Sequence, residues 1–196
     1  MKHADVRRCE LAAADLLCRQ NFSSIYDLRD MDIRKFSFPV SVEFDSFGGF
    51  CEAAGIGRAE ITQGGLAEGL SLRHGGKFLV LYNESAPRSR QNWTLAHEAG
   101  HILLGHIGEE GAHLEREADC FAASLLCPAV AVHYLAQQYG HPLSPKELQA
   151  VFPLSYEAAK RRASELQSAA PIPPSEGEIA LLLALFGRFS ANGNKR

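Results

Sequence analysis

His97, Glu98 and His101 stand in the spacing His-Glu-x-x-His, within Thr94-Leu95-Ala96-His97-Glu98-Ala99-Gly100-His101. On a helix, four residues make slightly more than one turn, so His97 and His101 stack on one face with converging imidazoles. Two neutral imidazoles so placed can bind one zinc ion, with Glu98 beside them to take a proton from a bound water. The chemistry implied is metal-dependent hydrolysis, of a peptide bond before any other. With 8 His in 196 residues, shuffling this composition gives the spacing roughly 0.03 times per chain, so the flanking residues must discriminate. Lys77-Phe78-Leu79-Val80-Leu81-Tyr82 reads as a strand, a polar turn containing Pro87 follows, and the helix comes next. Ala96, Ala99 and Gly100 are small enough to let another backbone or a substrate come close. A surface helix with two solvated histidines accounts for none of these flanks.

A catalytic zinc needs a third protein ligand. The metzincin spacing would require Gly at 104 and His at 107, where this chain has Leu and Ile. His106 lies five residues past His101, about 140° around a continuing helix, and is expected to point away from the metal face. The acidic cluster Glu115-Arg116-Glu117-Ala118-Asp119 opens a second helix that runs to Pro128. Glu115 and Asp119 share a face there, so one carboxylate can bind the metal while the other accepts the free N–H of a ligand histidine. Glu117 is rotated about 200° from Glu115 and is expected to face solvent, which favours Glu115 as the ligand.

These blocks carry a resemblance. Asn83-Glu84 after a strand, then Arg90-Gln91-Asn92-Trp93 running into the His97–His101 segment and on to Ile102-Leu103-Leu104-Gly105-His106, resembles the ImmA/IrrE family of metallopeptidases. Glu115-Arg116-Glu117-Ala118-Asp119-Cys120-Phe121-Ala122-Ala123-Ser124-Leu125-Leu126-Cys127-Pro128 resembles the family's second signature, and Leu154 to Arg162 is a weaker echo. One departure is Cys127, where methionine is common before the proline. The resemblance covers about residues 66 to 166 and implies one zinc ion per chain, held by His97, His101 and Glu115, with Glu98 as the base. It also implies an α+β fold: a zincin-like domain with a small antiparallel or mixed sheet, an active-site helix over about 90–106, a third-ligand helix over about 114–127 and a helical C-terminal half over 129–168. Relatives often act with a helix-turn-helix repressor, cleaving it to release gene expression from a mobile element or in a stress response. The implied partner is therefore a protein substrate of that kind.

A chain of this length fits one domain with or without an appendage: residues 1–170 as the domain, 171–196 as a Pro-rich linker and apolar helix. A hydrophobic content of 46% with 22% charged residues is ordinary for a globular protein. The formal charge of −3 gives no electrostatic argument for nucleic acid or an anionic membrane. Met1-Lys2-His3-Ala4-Asp5 lacks the apolar run of a signal peptide. Five cysteines without a Cys-x-x-Cys pair suit reduced thiols and a cytoplasmic location. Cys120 lies on the expected ligand helix and is read as a small buried hydrophobe.

Residues 4–20 read as an amphipathic helix with Val6, Cys9, Ala13, Leu16 and Leu17 on one side. Ser24 can cap a short helix over Ile25–Met31. Phe38, Val40, Val42 and Phe44 alternate as a strand does. Leu70–Arg73, the Gly75-Gly76 turn and Lys77–Tyr82 read as a β-hairpin. Ser144 and Ser155 cap two short helices resembling a helix-turn-helix, placed as a helical wall beside the cleft in preference to a DNA reader. Pro171-Ile172-Pro173-Pro174 is a stiff linker. The apolar helix from Glu176 to Phe189 is too short to span a membrane and is expected to pack on the domain; residues 192–196 are expected to fray.

Catalysis would proceed by attack of an activated water on the carbonyl, with Glu98 passing the proton to the leaving amine. A further donor for the oxyanion is expected, and Tyr134, His133, His113 and Arg162 are the candidates. The strand over 77–82 is the expected edge to which an extended peptide could add. Two other readings remain: a metal-binding regulator without catalysis, which the intact Glu98 disfavours, and a DNA-binding regulator built on residues 144–167.

Overall fold

Gly75 and Gly76 have φ of 57° and 82°, the left-handed pair that a two-residue hairpin turn demands. In the computed structural model, which describes residues 4–62, 68–169 and 172–187, they join β2 (Gly69–His74) to β3 (Lys77–Tyr82). The first strand, β1, is Val42–Ser46 and lies parallel to β3, with Phe44 opposite Val80. It is shorter than the expected alternation, because Pro39 lacks the N–H a ladder needs and Phe38 instead meets Phe36 and Phe44 ring to ring. The sheet order is β1-β3-β2. Thus β3 is the central strand and β2 an edge.

Helix α1 (Val6–Cys18) starts where Asp5 accepts the Arg8 N–H. It buries Cys9, Ala13, Ala14, Leu16 and Leu17; Val6, expected on that side, is 54% exposed. Short α2 (Tyr26–Arg29) and a 3-10 turn at Ile33–Lys35 lead to β1, and α3 (Phe47–Ala54) and α4 (Arg58–Ile61) follow it. Helix α5 spans Arg88–Leu103, ending before the expected 106. The cause is Gly105, left-handed at φ 77°. Its N–H donates to Ile102 O at 3.2 Å and the His106 N–H to His101 O at 2.8 Å, the paired bonds of a Schellman stop.

Helix α6 (Ala112–Leu126) lies against α5 and α1 and buries Phe121, Ala122, Leu125 and Leu126 completely. Each such Leu or Phe contributes about 1.5–3 kcal/mol by leaving water. The two helices meet at Gly100, where a Cβ would stand 3.2 Å from the Ala118 Cα, so a larger residue would have to press α6 back by a few tenths of an ångström. Beyond it come α7 (Ala129–Tyr139), α8 (Pro145–Val151), α9 (Tyr156–Ser168) and α10 (Glu176–Phe186). Ser144, Ser155 and Ser175 cap the last three through their hydroxyls.

Helix α10 packs on α1 and α7, burying Leu181, Leu182 and Leu185. Glu178 receives both Arg7 guanidinium N–H groups at 2.8 and 2.6 Å. Phe189, Pro171 and residues 192–196 lie outside the described residues. No single helix among the described residues is long and apolar enough to cross a membrane.

Candidate metal centre

Helix α5 carries His97 and His101 one turn apart, and their Nε2 atoms come within 3.1 Å. The close approach at Gly100 brings the first turn of α6 over them. Glu115 places Oε2 3.4 Å from His97 Nε2 and Oε1 3.6 Å from His101 Nε2, and all three donors fit within 4.8 Å of one another. A tetrahedral zinc with bonds of about 2.0–2.2 Å spaces its ligand atoms about 3.3–3.6 Å apart. The donor types fit such an ion; the imidazole nitrogens stand slightly closer than that spacing, and each is nearest a different oxygen of Glu115.

Asp119, one turn past Glu115, sets Oδ1 3.0 Å from His97 Nδ1. A hydrogen bond there holds the proton on Nδ1 and turns the Nε2 lone pair inward, the usual carboxylate support of a ligand imidazole. The His97 pKa lies above its ordinary value: burial lowers it, but the Asp119 bond and the charges of Glu98, Asp119 and Glu115 outweigh that. The His101 pKa lies below its own, through burial first and then repulsion from His97.

Glu98 is buried between α5 and β2. The Ser71 hydroxyl and backbone N–H favour its charged form. Burial nevertheless raises its pKa above the ordinary carboxylate range. The edge strand reaches this close because residue 69 is glycine: a Cβ there would overlap Thr94 Cγ2 and stand 3.1 Å from Glu98 Oε1. The three histidines 97, 101 and 106 and Glu98 line a cleft of about 510 Å³, with Gly69, Leu70 and Ser71 on one wall.

His106 does not point away. The Schellman stop folds the chain back, so that its Nδ1 lies 3.3 Å from His101 Nδ1. Glu117 does not face solvent; it is 5% exposed and pairs with His106 Nε2 at 3.0 Å. The strand 77–82 is no edge, because β1 and β2 occupy both of its sides; among the described residues, the edge strand beside the cleft is β2.

None of Tyr134, His133, His113 and Arg162 lines the cleft. Tyr134 stacks on Phe186 with centroids 4.3 Å apart, and Arg162 is buried with its guanidinium donating to Cys127 O at 3.2 and 3.0 Å. That inward turn also takes Arg162 off the exposed face of the helix-turn-helix-like pair. Arg90 and Trp93 do line the cleft and were legible as candidates: seven and four residues before His97, they share its helix face. Cys120 turns toward α1, its Sγ 3.9 Å from Val6 O, and burial pushes the Cys127 thiol up to about 12.

Residues 62–164 match the model of the IrrE N-terminal-like domain, Peptidase M78. The chain belongs to the ImmA/IrrE family. No curated protein matches the chain. The ImmA/IrrE match makes this a member of a metallopeptidase family, with a His/Glu group that could hold the metal. It spans β2 through most of α9 and leaves α1, β1 and α10 outside.

Proposed function

We propose that this protein is a zinc-dependent peptidase acting on a protein substrate, with His97, His101 and Glu115 holding the ion. The observation that carries the reading is the convergence of both Nε2 atoms and the Glu115 carboxylate directly beside a buried Glu98. Zinc, when bound, supplies Lewis-acid activation of a water and of the scissile carbonyl. Glu98 accepts the proton of the attacking water and returns it to the leaving nitrogen. Ser71 on the neighbouring strand favours the charged carboxylate for that exchange. Asp119 keeps His97 in the tautomer that presents Nε2.

The substrate backbone pairs with β2, the edge strand of the described sheet along the cleft wall, as an added strand. Loading peptide there places it beside Glu98. Among protein substrates, the family resemblance favours a helix-turn-helix transcriptional repressor. The test incubates zinc-loaded protein with a helix-turn-helix repressor encoded beside its gene, wild type against Glu98→Gln. A general base contributes about 10²–10⁴-fold, so cleavage by the variant should fall by that factor while zinc stoichiometry stays at one. Equal cleavage by both proteins would remove Glu98 from the role of base.

A further inference from the structure

The two ligand histidines are supported differently. His97 meets a carboxylate directly, through Asp119. His101 meets another imidazole: His106 Nδ1 lies 3.3 Å from His101 Nδ1, and behind it His106 Nε2 lies 3.0 Å from Glu117 Oε2. The side chains of His106 and Glu117 are only 3% and 7% exposed. Glu117 in turn accepts the Asp5 backbone N–H at 3.1 Å on Oε1 and Arg8 Nη1 at 3.5 Å on Oε2. Arg8 Nη2 also donates to Leu104 O at 2.6 Å, pinning the end of α5 where the chain turns back.

We propose that His106 and Glu117 are positioning residues, a buried hydrogen-bonded relay that orients His101 toward the metal. The proposal rests on the metal-site reading above. If His101 gives its Nε2 lone pair to the ion, its proton is on Nδ1 and must be donated. His106 Nδ1 is the acceptor at hand. That leaves the His106 proton on Nε2, where Glu117 accepts it. Each tautomer fixes the next, and the chain of bonds ends on a carboxylate with no remaining freedom, because Asp5 and Arg8 hold both its oxygens. Outer partners of ligand histidines raise the basicity of the ligand and fix its ring plane. An imidazole backed by a carboxylate performs this for His101 as Asp119 does for His97.

Two consequences distinguish this relay from ordinary packing. It depends on the Schellman stop at Gly105, since a continuing helix would carry His106 away from His101. It also runs into α1, which lies outside residues 62–164 of the family match, so the N-terminal helix takes part in shaping the metal site.

The test measures zinc affinity of the full chain by competition with a chromophoric chelator, for wild type, H106F, E117Q and the double variant. Melting temperatures of the metal-free proteins are recorded alongside. Each single substitution should weaken zinc by about 10- to 100-fold, and the double variant should be no weaker than H106F, because members of one relay are not additive. Single variants that bind zinc as tightly as wild type, or penalties that add in the double variant, would overturn the relay. Should a variant fail to fold, nitrogen-15 spectra of the histidines in zinc-loaded wild type decide: His101 protonated on Nδ1 with His106 protonated on Nε2 supports it, and any other pairing overturns it. A wild type that binds no zinc would instead sink the metal-site reading itself. Tight binding by wild type and variants alike sinks only the relay.

Discussion

Glu115 and Glu117 are two residues apart on one helix, yet they occupy opposite environments. The Glu115 side chain is 63% exposed and opens onto the cleft, where among the described residues it pairs with the two histidine Nε2 atoms. The Glu117 side chain is 7% exposed and has a partner on each oxygen. The wet carboxylate is available to a cation; the dry one is already committed to His106, Arg8 and the start of α1. The difference teaches that the role of a carboxylate on α6 follows from which neighbour packs on its side. The outward face meets α5 at the cleft, and the inward face meets α1.

The sharpest break of this contrast is the pair Glu115→Ala and Glu117→Ala. Removing Glu115 takes away a ligand, so stoichiometric zinc should be lost while the metal-free fold melts where wild type does. Removing Glu117 should do the reverse in emphasis: zinc weakened but retained, and the fold destabilised by about 1–3 kcal/mol as buried partners go unsatisfied. Zinc analysis and urea unfolding separate the two. Full zinc retention by Glu115→Ala would reverse the assignment of wet and dry carboxylates.

A smaller effect is expected from Asp119→Asn. The side chain is 57% exposed, so stability should be unchanged, but His97 loses the acceptor that fixes its tautomer. Zinc affinity should fall by about 10-fold, read by chelator competition. No change in affinity would mean that His97 is oriented by packing alone.

A comparable effect lies away from the site, in a second dry carboxylate. Glu178 on α10 is buried, which raises its pKa, but Arg7 and the N–H and hydroxyl of Ser175 bind its charged form, and the net shift is downward. Its folded pKa thus lies below its unfolded one. The stabilisation is complete above the unfolded value, about 4.3, and is lost as pH falls through the folded value. Glu178→Gln should therefore cost about 1–2 kcal/mol near neutrality, and its stability curve should converge on wild type in acid. A gap independent of pH would show that packing, and not charge, ties α10 to α1.

Much of the site is legible in the sequence alone. The spacing His97-Glu98-x-x-His101 and the i, i+4 pair Glu115 and Asp119 are local patterns, and helix geometry alone converts them into shared faces. The Gly75-Gly76 turn and the serine caps at 144 and 155 were legible for the same reason, since each acts within a few residues. Gly105 was also a local signal, a glycine four residues past His101, and reading it as a helix stop would have redirected His106.

Helix α3 carries signals of the same local kind, the Ser46 cap and the left-handed Gly55, while four-residue α4 has only the Glu60 carboxylate on the Gly57 N–H. Tyr134, His133, His113 and Arg162 were named for their chemistry alone, and chemistry without position does not place a donor in the cleft.

Sequence by itself thus determined which residues share a helix face, where turns and caps fall, and which donor types could meet a metal. Tertiary structure decided which face is wet. The packing of α1 on α6 buries Glu117, the approach of the α5 end to α6 joins it to His106, and the parallel pairing of β1 with β3 makes β3 central. These are contacts between separate segments of the chain, and periodicity along a helix or strand says nothing about what will pack against it.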